Sequence, residues 1–155
     1  MMDYISLLQK QCKEGVGSRD LKPGVLQLML PIFFEDGDMM DIYLDTRDPG
    51  NGMVRVCDLG MTLMRLSYNY EIDTPNKERV FKLILSENRV NIDNGSLYVD
   101  CTAAELYSTV LRLSQTISKV VSMRLYKRDQ MQSMFYEHVR NYVLEKLRDF
   151  EPVPE

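Results

Sequence analysis

Five aspartates lie close together between residues 36 and 58 and could bind a divalent metal. They are Asp36, Asp38, Asp41, Asp45 and Asp58. Carboxylate oxygens are the ligands that Mg²⁺ prefers, and such a site could support phosphoryl transfer or nuclease chemistry. The local pattern, however, places Asp41 and Asp45 on an outward strand face and Asp36 and Asp38 in a turn. We therefore favour turn formation and a solvated sheet face, and keep Asp36, Asp38, Asp41 and Asp58 as the ligands of an alternative, metal-dependent enzyme acting on nucleic acid or a nucleotide.

Other catalytic arrangements are hard to build from this composition. The single histidine, His138, falls within an amphipathic helical pattern, and a catalytic pair would need it to meet a cysteine or a serine in space. The three cysteines, Cys12, Cys57 and Cys101, are widely spaced and form no Cys-x-x-Cys pair, so we interpret them as reduced and mostly buried thiols. The glycine-rich segments lack the spacing and the lysine of a phosphate-binding loop. The sequence thus predicts no catalytic residue and no cofactor, and it favours a non-enzymatic function.

Charge and hydropathy exclude further classes of protein. The net charge is −4, whereas general nucleic-acid binders carry a basic face. The cations of Arg124, Lys127 and Arg128 nevertheless form a small cluster, which suggests as a second alternative a regulatory subunit that contacts nucleic acid. No apolar run approaches the roughly 20 residues of a membrane-spanning helix, and the N-terminus does not resemble a signal peptide. We expect a cytoplasmic protein that does not contact membranes.

The chain is rich in side chains that suit a protein interface. It contains eleven methionines, which pack adaptably, and nine tyrosines, which are frequent at binding hot spots. Several of these side chains fall on the last predicted helix, whose apolar stripe exceeds what a small sheet can cover. The predicted interaction residues are Met131, Met134, Phe135 and Tyr142, together with Arg124 and Lys127.

Hydrophobic periodicity and capping signals define the elements that would position these residues. We expect a helix over residues 2–14, a loop over residues 15–24, and strands near residues 25–34, 39–45 and 53–59. A tight hairpin is expected around Asn94-Gly95, a pair that favours a type I′ turn. Two short helices precede this hairpin, and two long helices follow it, the first opening with a Thr102–Glu105 capping box. This order predicts an α+β fold, in which a small antiparallel sheet with β-hairpins packs against helices.

The stretch "VRVCDLGMTLMRL" marks the change from strand to helix. We expect Gly60 to adopt a left-handed conformation, Thr62 to cap the helix, and Asp58 to accept hydrogen bonds from free N–H groups at the helix start. The chain is expected to divide into a core domain, residues 1–128, and a C-terminal amphipathic helix with a tail, residues 129–155.

A resemblance becomes visible across the strands and this corner. The stretch "DGDMMDIYLD…GMVRVCDLGMTLMRL" resembles a family of small bacterial and prophage proteins described only as a domain of unknown function. The matching positions are Asp38, Asp41, Ile42, Tyr43, Asp58, Gly60, Thr62, Leu63 and Leu66, whereas Leu59 departs from the small or acidic residue usual there. The resemblance covers roughly residues 25–125, and "MFYEHVRNYVLEKL" is similar to segments that follow this domain in longer members.

The resemblance implies a function in conflict between phage and host, but it transfers no catalytic residue. Our first hypothesis is therefore an interaction module encoded by a phage or mobile element. It would bind and inhibit a host or defence-system protein, or self-associate as a homodimer through the C-terminal helix.

Overall fold

A computed structural model of the protein describes residues 3–47, 50, 52–126 and 128–148, with only the backbone for residues 126, 128–134 and 148. Its α-helices are α1 (Tyr4–Glu14), α2 (Met61–Ser67), α3 (Pro75–Glu87), α4 (Leu106–Val121) and α5 (Arg128–Arg148). Its strands are β1 (Gly17–Lys22), β2 (Val25–Met29), β3 (Ile42–Asp45), β4 (Val54–Cys57), β5 (Asn91–Asp93) and β6 (Ser96–Cys101). Short 3-10 helices cover Ala103–Glu105 and Ser122–Tyr126.

The contacts divide the chain into two units, Met1–Val121 and Ser122–Glu155. The first unit contains the sheet and helices α1 to α4, and the second contains α5. The division at residue 128 that the sequence suggested stays a prediction. Within the described parts of the chain, no helix is both long enough and apolar enough to cross a bilayer.

The six strands among the described residues of the first unit form one antiparallel sheet in the order β1-β2-β3-β4-β6-β5. The predicted α+β fold is confirmed. One sheet face is almost wholly apolar at its centre, where Val56 lies opposite Val99 and both are buried. Helix α4 packs on β4 and β6 and places Leu113 and Ile117 in the core. Each such side chain contributes about 1.5–3 kcal/mol through its burial.

The predicted Thr102–Glu105 capping box and Asn94-Gly95 turn are confirmed, and side chains cap two further helices. Asp3 caps α1 by accepting the N–H groups of Ile5 and Ser6, and Thr74 caps α3. The capping box of Thr102 and Glu105 is present. Asn94 and Gly95 have φ angles of 48° and 79°, as the type I′ turn between β5 and β6 requires.

The expected loop over residues 15–24 is wrong, because most of it forms the edge strand β1. This strand pairs with β2 from Gly17 opposite Met29 to Lys22 opposite Val25, with an irregularity between Asp20 and Lys22. Every side chain of β1 is exposed. The strand therefore has no hydrophobic alternation, and only its backbone pairing reveals it.

The strand expected over residues 25–34 is shorter than predicted. Strand β2 ends at Met29, and Pro31, which has no N–H to donate to a ladder, follows two residues later. The chain then pairs only at an isolated bridge between Phe33 and Met39 before β3 begins.

Candidate functional site

The corner between β4 and α2 is built around the carboxyl group of Asp58. This side chain is completely buried. Its Oδ1 accepts hydrogen bonds from the backbone N–H groups of Gly60 (3.0 Å) and Leu97 (2.7 Å), and its Oδ2 accepts one from Thr62 (2.9 Å). The hydroxyl of Ser96 lies 3.3 Å from Oδ1. Asp58 therefore joins the start of α2 to strand β6, which lies almost 40 residues further along the chain.

The geometry of this corner confirms two of its three predicted roles. Gly60 is left-handed, with a φ of 84°, and Asp58 accepts the N–H groups at the helix start. Thr62 was expected to cap α2, and this is wrong: Gly60 is the capping position and Thr62 is buried inside the helix. Leu59 is also left-handed, with a φ of 51°. The arrangement directs both carboxyl oxygens at backbone donors rather than at solvent.

The turn that carries Asp36 and Asp38 is bound by one arginine of α2. The guanidinium of Arg65 donates to both carboxylates, at 2.5 Å and 2.6 Å, and lies 4.0 Å from the centre of the Phe34 ring. The hydrogen bond from Arg65 lowers the pKa of Asp36. These two carboxylates therefore attach the β2–β3 connection to α2.

Asp41 and Asp45 belong to separate hydrogen-bonding groups on the outward sheet face. Oδ1 of Asp41 lies 3.4 Å from both Nε2 of Gln27 and the hydroxyl of Tyr43. Asp45 forms a two-point ion pair with Arg47, and this pairing lowers its pKa to about 2.

The four candidate metal ligands thus have three different sets of partners. Asp36 and Asp38 share Arg65, Asp41 contacts Gln27 and Tyr43, and Asp58 binds backbone amides. Among the described residues, no group of three or more His, Cys, Asp or Glu side chains could hold a metal ion. The metal-dependent alternative gains no support from this geometry and stays a prediction.

The sheet face expected to be solvated is partly covered. Val25, Tyr43 and Cys57 are buried there as a small apolar cluster, against which Met61 and Tyr98 pack. Burial raises the pKa of the Cys57 thiol to about 11 and is the main cause of a raised pKa at Tyr43. Cys101 is buried as predicted, but Cys12 is exposed.

An arginine on this face was not foreseen as part of any cluster. Arg55 forms a two-point ion pair with Asp100 on the neighbouring strand, at 2.7 Å and 2.8 Å, and lies 3.9 Å from the centre of the Tyr98 ring. No local signal could have revealed this pair, because it depends on β4 lying beside β6.

Helix α5 exposes several apolar side chains on one side, with Lys146 among them on the helical projection. Phe135 and Tyr142, two of the predicted interaction residues, are 66% and 61% exposed. At 100° per residue, six apolar side chains fall within an arc of about 140°. We call this set the apolar arc; it consists of Phe135, Tyr136, Val139, Tyr142, Val143 and Leu147, and its members are 42–66% exposed.

The remaining predicted interaction residues are less informative. Met131 and Met134 lie within α5, but their side chains are outside the described residues, as is all of Lys127. Arg124 lies in the 3-10 helix before α5 and is half-buried. His138, also on α5, is exposed.

Helix α1 exposes a second, smaller apolar surface that sequence reasoning missed. Tyr4, Ile5 and Leu8 are 57–70% exposed, and every side chain from residue 3 to residue 24 is exposed. Periodicity predicts the helix, but it does not show whether the apolar side is covered.

The comparisons with known proteins agree with the resemblance seen in the sequence. The model of the family described as Domain of unknown function DUF1828 matches residues 30–120. No curated protein and no solved structure matches the chain. The matched segment includes strands β3 to β6, helices α2 and α3 and most of α4, and the Asp58 corner lies about a third of the way along it. It covers more than half of the sequence, and the chain therefore belongs to the DUF1828 family.

Proposed function

We propose that the protein is a non-enzymatic interaction module that binds another protein chain through the apolar arc of α5. The observation that carries this proposal is the exposure of all six arc side chains, three of which are aromatic. Aromatic residues are enriched at protein interfaces and frequently supply most of the binding energy.

The size of the arc supports a binding role. Its six side chains leave roughly 600 Å² of apolar surface exposed, taking about 200 Å² for an aromatic and 150 Å² for an aliphatic side chain. The largest apolar patch on a typical monomer is about 300–600 Å² and is often functional. The arc therefore lies at the upper end of this range, on a single helix.

The resemblance to phage and prophage proteins makes a host or defence-system protein one class of partner, and a second copy of this chain is the other. The carboxylates of the metal-dependent alternative are occupied by an arginine, by neutral side chains or by backbone amides. Of the three cations of the nucleic-acid alternative, only Arg124 has a described side chain, and this alternative stays a prediction. Protein binding is the function that the geometry favours.

Site-specific photo-crosslinking tests this proposal without knowledge of the partner. A benzophenone amino acid replaces Tyr142 in the arc, and in a matched variant it replaces Asn141, an exposed neighbour on the opposite side of the helix. We expect irradiation of the full-length protein in bacterial lysate to yield a discrete covalent adduct from position 142 only. Equal labelling from both positions, or no adduct from either, would contradict the proposal.

A further inference from the structure

Helices cover only part of the apolar face of the sheet. Within the described parts of the chain, α4 packs on β4 and β6, and no helix packs comparably on β1, β2 or β3. The apolar face nevertheless continues onto these strands, because Leu26 lies opposite Leu44, and Leu44 lies opposite Val56 of the core. Leu28 follows on the same face of β2. Leu26, Leu28 and Leu44 are only half-buried, and we call these three side chains the leucine patch.

Helix α1 carries an apolar side that nothing covers among the described residues. At 100° per residue, Tyr4, Ile5, Leu8 and Cys12 fall within an arc of about 100°. All four side chains are exposed, Ile5 to 66% and Leu8 to 57%. The helix has 11 residues, and isolated helices shorter than about 12–15 residues are only marginally stable in water. The apolar side of α1 therefore needs a surface to pack against.

The connection between α1 and β1 allows the helix to fold back over the sheet. Only Gly15 and Val16 separate the two elements, and β1 begins with Gly17. Glycine backbones can absorb the change of angle that a hinge requires. Helix α1 is about 16 Å long and about 10 Å wide. Strand β1 is roughly 20 Å long, and roughly 10 Å separates it from β3, so the helix has the size of the uncovered area.

The positions of the apolar side chains along the two elements also agree. Counted from the connection, Cys12 lies about 3 Å along α1 and Leu8 about 9 Å. Strand β2 pairs with the start of β1 at Met29, and Leu28 and Leu26 lie about 3 Å and about 10 Å from that end. A helix folded back along β1 thus places Cys12 above Leu28 and Leu8 above Leu26.

We infer that α1 is a lid that closes reversibly over the leucine patch of its own chain. The short connection holds the helix near the patch at an effective concentration in the millimolar range, which favours this occupant over a separate chain. Closing removes both apolar surfaces from solvent, and opening exposes both. The inference goes beyond the proposed function, because it concerns α1 and the sheet rather than the apolar arc of α5.

Disulfide formation in the full-length protein tests the closure. Leu28→Cys is equilibrated with a known ratio of oxidised and reduced glutathione, and the fraction joined to Cys12 within one chain gives the effective concentration of the two thiols. Such a bond requires the two Cα atoms to come within roughly 7 Å. Gln27→Cys is the matched control, since Gln27 is the neighbouring residue and also half-buried but lies on the other face. We expect Leu28→Cys to have an effective concentration at least about 100-fold higher.

A second substitution shows whether the apolar side of α1 drives the closure. In the Leu28→Cys background, Leu8→Glu should lower the effective concentration at least about tenfold, because it places a charge in the apolar contact. Gln9→Glu adds the same charge at the next exposed position, outside the apolar side, and should change the value less than about threefold. Circular dichroism of the reduced proteins should match the parent.

A second cysteine pair keeps the test decisive if Leu28→Cys does not fold. Leu8→Cys and Leu26→Cys, combined in a Cys12→Ser background, should also form a disulfide within one chain. Equal effective concentrations for Leu28→Cys and Gln27→Cys, or no effect of Leu8→Glu, would overturn the lid. A covalent dimer instead of an intramolecular bond would place α1 on another copy and overturn it as well. None of these results bears on the photo-adduct from position 142, which tests the proposed function separately.

Discussion

At the residue scale, Asp58 shows how one buried polar group connects distant parts of the fold. Its carboxyl group is held by three backbone N–H groups from the β4–α2 corner and from β6. A buried acceptor with this many donors is costly to remove, because each donor left without a partner carries its own desolvation penalty. The residue therefore has a complete structural role in this corner.

We expect Asp58→Ala to lower the free energy of unfolding by about 3 kcal/mol, more than the roughly 1 kcal/mol typical of a lost helix cap. Urea unfolding measures this loss. Asp3→Ala is the matched control, since Asp3 also accepts two backbone N–H groups but is exposed. Its cost should be clearly smaller than that of Asp58→Ala. Equal losses from the two variants would show that the burial of Asp58 is unimportant.

A second residue-scale prediction concerns the Asp45–Arg47 ion pair and pH. The pKa of Asp45 is about 2 in the folded protein because Arg47 stabilises its charged form, and this value lies below the ordinary 3.8. A carboxyl group with a lowered pKa stabilises the fold above pH 4, and this contribution is lost as the pH falls toward 2. Arg47→Gln should therefore lower the free energy of unfolding slightly at pH 6.

Urea unfolding at a series of pH values gives the free energy of unfolding of Arg47→Gln and of the parent protein. The difference between these two free energies should become smaller below pH 4. Lys82→Gln is a suitable control, because Lys82 pairs with Glu78 in a fully exposed i, i+4 geometry. At pH 6, Lys82→Gln should change the free energy of unfolding less than Arg47→Gln does. If Arg47→Gln differed from the parent protein by the same free energy of unfolding at pH 6 and at pH 2.5, the lowered pKa of Asp45 could not be assigned to this pair.

At the element scale, the hairpin of β5 and β6 shows how local sequence determines a backbone shape. Asn94 and Gly95 both take left-handed conformations, and the turn they form brings Ser96 and Leu97 to Asp58. Strand β1 shows the opposite case, since its exposed side chains carry no pattern and only its partner β2 defines it.

We expect Gly95→Ala to destabilise the protein by about 1–2 kcal/mol, because an L-residue is strained at a φ of 79°. A Cβ there would come no closer than 4.0 Å to Leu63, so conformational strain is the main cost. Gly17→Ala in β1 is the control, because Gly17 lies outside the left-handed region and its added Cβ would make an ordinary contact of 3.7 Å with Met29. It should be neutral or stabilise by up to about 1 kcal/mol. Thermal unfolding should therefore show a lower Tm for Gly95→Ala. For Gly17→Ala, the Tm should stay unchanged or rise.

At the scale of the whole molecule, the family match covers the part of the chain that builds the core. The matched residues, 30–120, contain most of the buried side chains, whereas α1, β1 and α5 lie outside the match and have exposed apolar residues. The family match therefore covers the part of the chain that builds the core, and helices α1 and α5 lie outside it.

Hydrogen exchange should separate this scaffold from the N-terminal segment. Amides of α1 have exposed side chains around them and should exchange at least about 1,000-fold faster than amides of the central strands β4 and β6, which open only with the global fold. Strand β5 is three residues long and lies at the other edge of the sheet. Its amides should exchange more slowly than those of α1 and faster than those of β4 and β6. Protection of α1 equal to that of β6 would contradict this expectation.

The sequence by itself determined the features that depend on neighbours within a few residues. The caps at Asp3, Thr74 and Thr102, the Asn94-Gly95 turn and the alternation of β3 are local, and together they specify an α+β chain. Tertiary structure alone decided that β4 lies beside β6, that Arg55 meets Asp100, and that Asp58 reaches Leu97. These contacts join residues about 40 positions apart, and their formation depends on the packing of the whole core rather than on any local preference.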